Sequence, residues 1–408
     1  MTSTYSGKSL TIHIDGASHS DCIRVSIDGI PVRSTFKYSD LSELLAARRP
    51  SSKIGSTARH EQDTPIFEKG ISRSQDTMTV TGSIVCKVEN KDINKRDYEL
   101  FKEIPRPSHV DLPAMIKYGN NVDLSGGGAF SGRMTVAVVI AGGIAASMLK
   151  KENIFTGAHL LSVGNYEVKI KDKNAIEPRI LDILNSANDK ESDSSCILQE
   201  LEYKLENKDF PCIVDAAGKA MLDEITEAAN TGDSIGSVIE TWCRGVPAGL
   251  GGALFDRLDC KLAALLFAIP SVKAVDIGKG VDLSKSTGSC TNDVYEITTS
   301  KYGITYNGLK IRSKTNNSGG IIGGLSTGMP IILRAFCKPA PSISKTQTTL
   351  NVNTGKPSEL KCRGRHDSFI GRRAIPVVKS VISLAILDEM LAKDRKSTRL
   401  NSSHALAS

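Results

Sequence analysis

The chain of 408 residues is poor in aromatics, which make up 5% of it with a single tryptophan, and it contains no cysteine pair spaced as CxxC. Its nine cysteines (22, 86, 196, 212, 243, 260, 290, 337 and 362) are scattered. An odd, dispersed set in a chain this long excludes a disulfide scaffold, offers no Cys/His metal spacing, and predicts reduced core thiols of a cytosolic protein. Nucleotide signatures are missing as well. There is no GxxxxGK[ST] and no HExxH, and the GGGAFSG run at 126–132 lacks both the Rossmann spacing and a clear preceding strand. Histidine is scarce: six precede the C-terminal tail (13, 19, 60, 109, 159 and 366), so candidates for acid–base work are few.

Long hydrophobic runs are also absent. The longest, Val136 to Ala146, is broken by Gly142 and Gly143 and is too short to span a bilayer. The first fifteen residues carry no apolar stretch suited to a signal peptide. The expectation is a soluble, cytoplasmic protein without a membrane partner.

What is present is an ordinary globular composition, 40% hydrophobic and 24% charged, with 52 lysines and arginines against 45 acidic residues. The resulting charge of +7 suits a nucleic-acid surface or an anionic small substrate equally well. No basic block occurs, and the arginines cluster near glycine-rich or histidine-containing stretches, which favours a pocket over a patch. With no recognition module visible, a nucleic-acid partner rests on net charge alone and is not expected.

Leu10, Ile12 and Ile14 alternate with Thr11 and His13, and Ile23, Val25 and Ile27 repeat the pattern, so two strands with one buried face are predicted, joined by a loop carrying His19. Helices are predicted over 39–49 (Ser or Asp cap, stopped by Pro50), 133–151, 221–231 (stopped by Gly232), 255–268 and 374–392, the last with Pro376 in its first turn. SVIETWCRGVP and VKAVDIG read as strands, the former alternating. Strands and helices mix without regular βα alternation, which predicts an α+β fold, a single domain over 1–392 of antiparallel β-sheets sandwiched between helices. The polar stretch 185–208 reads as a surface insertion. The tail, 393–408, continues no periodicity and is set aside from the fold.

Three histidines lie in charged, turn-rich loops: GASHSD around His19, PRPSHVD around His109 and RGRHD around His366. Arginines 106, 363 and 365 stand within three residues of the last two. A basic pocket with groups that titrate near neutral pH suits a substrate whose phosphate must leave.

These residues also carry a resemblance. Gly16-Ala17-Ser18-His19 with Asp28-Gly29-Ile30-Pro31, Arg106 to Asp111 (RPSHVD), and Gly126 to Arg133 with Thr135 resemble, in order, the GESHG…DG.P, RPGHAD and GGGR.S.R.T motifs of the chorismate synthase family. GDSIG, GVPAGLG, FDRLD, NNSGGIIGGLSTG from Asn316, KPAPSI from Lys338 and GRHD at 364–367 follow collinearly. The resemblance implies a reduced-FMN-dependent lyase that makes chorismate from 5-enolpyruvylshikimate 3-phosphate by 1,4-anti elimination of phosphate, assembled as a homotetramer.

Carried over residue by residue, it gives His19 the departing phosphate, with Ser18 beside it. Arg48, Arg49, Arg106 and Arg133 hold the substrate's anionic groups, for which a guanidinium fork is suited. His109 controls the flavin N1 region, and Asp367 assists removal of the C6 proton through flavin N5. Ala129, Phe130, Ser131, Pro270, Ser271, Gly323, Lys338, Pro339, Ala340, Pro341, Ser342 and Arg365 approach FMN. Departures from the family pattern are Ala17, Ser20, Ala47, Ser51, Ala129 and Asn317, which motivate the alternative of a non-catalytic flavin- or anion-binding homologue. Arg48 is compatible with intrinsic NADPH-dependent flavin reduction, but Ile54, beside Lys53, occupies a second position where a basic residue is expected, which points away from it.

Overall fold

The structure is a computed structural model. It describes residues 2–50, 55, 61–92, 96–119, 121–187, 194–206, 208–299, 304–362 and 367–405, the side chains of 96, 97 and 395–405 excepted. Lys53, Ile54, Ser51, His60, Arg363, Arg365 and His366 lie outside the described residues.

The chain begins with strands β1 (Thr2–Ser6), β2 (Thr11–Asp15), β3 (Cys22–Asp28) and β4 (Thr35–Lys37). Helix α1 (Tyr38–Arg48) and the hairpin β5 (Ile66–Ser74) and β6 (Thr77–Glu89) follow. Then come α2 (Asp111–Tyr118), α3 (Thr135–Lys151), β7 (Phe155–Val163), α4 (Tyr166–Lys169), α5 (Ile180–Ala187), α6 (Ser194–Glu206) and α7 (Asp215–Asn230). The remainder is β8 (Ser237–Arg244), α8 (Leu258–Phe267), β9 (Val272–Ile277), α9 (Gly288–Thr291), β10 (Tyr295–Ile297), β11 (Ile304–Tyr306), β12 (Leu309–Ser313), β13 (Ile321–Ile322), β14 (Leu325–Ser326), β15 (Ile331–Cys337), β16 (Gln347–Asn351), β17 (Lys356–Leu360) and α10 (Gly371–Ala405).

Two main sheets form, one of order β1-β2-β3-β6-β4 with β5 also on β6, the other β7-β8-β15-β9, and every pair in them is antiparallel. The α+β class with antiparallel sheets is therefore observed. Helices α3 and α10 lie against each other between the sheets, α3 on β3, β4 and β6, α10 on β7 and β8. Their crossing is close because Gly142 offers no side chain. A Cβ there would stand 2.4 Å from the Ser380 Cα, and one on Gly143 would run into Leu41 of α1. By length and composition the helical stretch Gly132–Lys151, which contains α3, could cross a membrane, but 72% of its apolar window is buried inside the protein, as the core helix between two sheets must be.

The early strands follow the alternation: Ile12, Ile23, Val25 and Ile27 are buried and His13 is exposed. Elsewhere the structure differs from the sequence reading for definite reasons. Helix α1 starts at Tyr38 with Lys37 before it and no side-chain cap, because β4 runs straight into the helix. Helix α7 starts at Asp215, earlier than predicted, while the 255–268 segment becomes a short 3₁₀ turn followed by α8. Helix α10 begins at Gly371, so Pro376 falls past the first turn, and its backbone stays helical to Ala405. Strand β8 does not alternate in burial, since both of its faces are covered.

The stretch read as a surface insertion supplies α6 and the end of α5. Leu181, Leu184, Leu198 and Leu201 pack with Trp242 and Ile332 on the outer face of the second sheet. Gly157, opposite Trp242, makes room for that indole ring. The next row on this face is charged. His159, Glu240, Arg334 and Asp276 are successive cross-strand neighbours of alternating sign. Glu177 meets His159 Nδ1 at 2.8 Å, so each buried charge has an opposite one beside it. All nine cysteines are free thiols.

Candidate active site

The His19 loop joins β2 to β3. Ser18 and His19 are buried, and the Ser18 N–H donates to the Gly128 carbonyl (3.0 Å). Ser20, where the family has glycine, closes the turn: its Oγ accepts from the Ala17 N–H (2.9 Å) and lies within donating distance of the Ala17 and Cys22 carbonyls (2.9 and 2.7 Å). The departure therefore stabilises the loop locally. The Tyr98 ring flanks the imidazole at 5.2 Å.

Beneath the histidine runs Gly126-Gly127-Gly128, all with positive φ (58°, 86° and 55°), a conformation that an ordinary residue adopts only at a cost. A Cβ on Gly126 would stand 2.7 Å from both His19 Nε2 and Ser18 Oγ, and one on Gly127 would lie 3.6–3.8 Å from Ser131 and the His109 ring. The glycine run thus lies between the two histidines and brings them to one place. Ser131 caps the next turn by accepting from the Arg133 N–H, Ala129 is half-buried, and Phe130 is exposed beside Tyr118.

His109 precedes α2. Its Nδ1 lies 2.7 Å from Asp111 Oδ1, and Arg106 forks onto the same carboxylate with Nε and Nη2 at 2.7 Å each. Burial would raise the Asp111 pKa, but the Arg106 and His109 hydrogen bonds overcome it and hold it at about 2. An ionised carboxylate only accepts, so His109 carries its proton on Nδ1 and keeps Nε2 for the site. Burial pushes the His109 pKa down, with Asp111 pulling back, which favours a neutral ring.

The Arg106 guanidinium also stacks on Phe101 (4.1 Å) and reaches Ser342 Oγ (3.0 Å). Lys338 Nζ donates to the Ser108 carbonyl (2.7 Å) and its N–H to the Ser271 carbonyl (3.0 Å). Pro270, Ser271 and the segment from Lys338 through Pro339, Ala340 and Pro341 to Ser342 thereby border the His109 loop. The GDSIG motif secures that segment through Ser234 Oγ, which donates to the Ala340 carbonyl (2.6 Å).

A third group centres on Asp63. Arg48 Nη1 donates to it (2.7 Å), and Arg133 Nη1 binds its other oxygen. Arg48 also donates to Thr135 Oγ1 and to the carbonyls of Gly132 and Arg133. Arg373 links this group to Asp367: its Nε donates to the Arg48 carbonyl (3.0 Å), its Nη1 to Asp367 Oδ2 (2.7 Å). Arg49 ends α1 half-buried, its Nε without a hydrogen-bond partner among the described residues.

Most of the residues singled out from the sequence are therefore brought into these three groups. Arg48 and Arg106 are committed to carboxylates and backbone, a supporting arrangement that the sequence reading, which gave them to substrate, did not foresee. Gly323 belongs to none of the groups; it sits on the β13–β14 turn, where a Cβ would meet open space. Asn317, where the family has histidine, is enclosed by bonds to Asp293, Thr291 and Asn185. Sequence reasoning missed Asp63, Asn90, Tyr98 and Arg373, and gave Asp111 no role.

A Cβ on Gly127 would stand 3.6–3.8 Å from Ser131 and the His109 ring, so the glycine keeps the space beside them clear of a side chain, which is compatible with a bound cofactor.

Comparison with known proteins agrees. The chorismate synthase family model matches residues 10–391. The chain is 34% identical to the chorismate synthase of Methanosarcina barkeri over 391 residues, 96% of this chain and 97% of the relative. It is 37% identical to that of Pyrococcus abyssi over 385 residues, 94% and 97% of the two chains. A crystal structure of a chorismate synthase superposes with a TM-score of 0.66 over 95% of this chain and 93% of the other, at 22% identity, which speaks for the fold. The chain belongs to the chorismate synthase family.

Proposed function

We propose that this chain is a lyase that eliminates phosphate from 5-enolpyruvylshikimate 3-phosphate to give chorismate, in the shikimate route to aromatic amino acids. The observation that carries the reading is the meeting of His19, Ser18 and His109 around a left-handed glycine run. Such a site can stabilise a departing anion on one side and hold a neutral imidazole on the other.

His19 Nε2 and Ser18 Oγ face the same point above Gly126, so they contact the leaving phosphate and His19 gives it a proton. Arg133 and Arg49, each with a guanidinium nitrogen lacking a hydrogen-bond partner among the described residues, take the substrate's anionic groups. Arg48 and Arg106 orient the walls through Asp63 and Asp111. Asp367, held by Arg373, supplies the carboxylate that removal of the C6 proton requires. Reduced FMN, when bound, supplies transient electron density for the C–O cleavage and is returned without net redox change. Gly127, Ala129, Phe130, Ser131, Ser271, Pro270 and Lys338 through Ser342 would hold it, with Arg365 and Gly323 as further contacts.

The active form in this reading is a cytoplasmic homotetramer. Tyr295, Ile297, Tyr306 and Leu309, exposed apolar residues of the β10-β12-β11 sheet, support self-association. His19→Ala and His109→Ala tests the assignment: chorismate formation under reducing conditions falls by about two orders of magnitude or more for each. Unchanged turnover in both overturns it.

A further inference from the structure

The loop carrying His19 is fastened by a residue outside every motif singled out in the sequence. Asn90, immediately after β6, is buried, with 6% of its surface exposed. Its Nδ2 donates to the Ser20 carbonyl (2.7 Å) and the Ala17 carbonyl (3.2 Å), while its Oδ1 accepts from Arg133 Nε (2.9 Å). The backbone N–H is held by the Asp21 carbonyl (2.9 Å). One planar amide is therefore divided between the His19 loop and a guanidinium. An amide has no soft torsion between its oxygen and its nitrogen, so the direction of Arg133 and the position of residues 17–20 are set together.

Arg133 is also unfinished. Its buried Nη2 makes a long ion pair with Glu61 (3.6 Å) but no hydrogen bond among the described residues. A buried donor left unmade is costly, and an arriving oxyanion is the group that completes it. Nε of the same guanidinium is the atom that Asn90 holds.

We propose that Asn90 is a positioning residue that couples anion binding at Arg133 to the orientation of His19. The inference rests on the reading of His19 and Arg133 as substrate-facing. Asn90→Asp is the informative change. It keeps the shape and the acceptor for Arg133, but turns lone pairs toward the Ala17 and Ser20 carbonyls, so the loop is released while the arginine contact stays.

The test is a double-mutant cycle with His19→Ala, following phosphate release from 5-enolpyruvylshikimate 3-phosphate with reduced FMN. Asn90→Asp is expected to lower kcat about 10- to 100-fold while KM moves less than about threefold. In the His19→Ala background it removes no more than about twofold further, because the two residues act as one unit. Multiplying effects, or an unchanged kcat, overturn the proposal. Should Asn90→Asp not fold, Asn90→Ala, which removes the amide donors without adding a charge, is read in the same cycle.

If His19→Ala itself keeps full turnover, it is the reading of His19 that has failed. Hydrogen exchange then reads Asn90 separately. The Ser18 and Ser20 amides, bonded to the Gly128 and Ala17 carbonyls, exchange about tenfold faster in Asn90→Asp while β7 is unchanged. Equal exchange at those amides overturns the proposal.

Discussion

Asp111 receives both arms of the Arg106 guanidinium, each at 2.7 Å, and the pair is almost wholly buried. Because His109 leans on the same carboxylate, this ion pair sets which imidazole nitrogen faces the site. Replacing Asp111 by Asn leaves a buried guanidinium without its counter-charge and exchanges one of the two acceptor oxygens for an NH2 donor, so the His109 tautomer is no longer fixed. The expected result is a stability loss on the order of 3–5 kcal/mol together with loss of activity, measured by urea unfolding and by turnover.

The same carboxylate gives an acid limb. Asp111 is held at about 2 in the folded protein against 3.8 for an ordinary aspartate. A depressed pKa contributes stability that is present above the unfolded value and disappears as pH falls through the folded one. Wild type is therefore expected to lose stability between about pH 4 and pH 2. Asp111→Asn should show a shallower slope there in unfolding curves taken across that range.

His159 behaves in the opposite sense. Burial alone would lower its pKa, but Glu177 and Glu240 on its two nitrogens raise it to about 9. The stabilisation is full below the unfolded value of about 6.5 and is lost as pH climbs from there through about 9. Melting temperature should decline over that window. His159→Gln, which takes the shared positive charge from Glu177 and Glu240 while Glu240 keeps Arg334, is expected to cost on the order of 3 kcal/mol and to flatten the decline.

Two glycines separate packing from cofactor approach. Gly126→Ala places a methyl 2.7 Å from His19 Nε2 and should abolish turnover by displacing that ring. Gly323→Ala meets no atom within 4 Å, so its only cost in the protein alone is the left-handed backbone at φ 60°, about 1–2 kcal/mol. A fall in reduced-flavin affinity well beyond that places Gly323 at the cofactor. Unchanged affinity removes it from the site.

The early strands were legible because one of their faces is solvated, so Ile23, Val25 and Ile27 alternate with polar neighbours. Strand β8 was misread as alternating because Glu240 and Trp242 are covered by the α5–α6 layer. Periodicity has no access to that layer, whose two helices look like a polar insertion until their leucines are seen facing Trp242. The histidine loops were recognisable from ordered motifs. Their supports were not, since Asp63 and Asn90 reach Arg133 from 70 and 43 residues away and no local spacing encodes such a contact. Ser20, read as one of the departures that motivate a non-catalytic homologue, closes the His19 loop through three short contacts.

The central claim is that His19, His109 and the glycine cradle form a working phosphate-eliminating site. Its most direct test is an anaerobic single turnover, with the protein at stoichiometric concentration, reduced FMN and 5-enolpyruvylshikimate 3-phosphate. One phosphate and one chorismate per active site, with none when FMN is oxidised, is the result expected. No phosphate above the protein-free control would contradict the account and leave a flavin- or anion-binding homologue in its place.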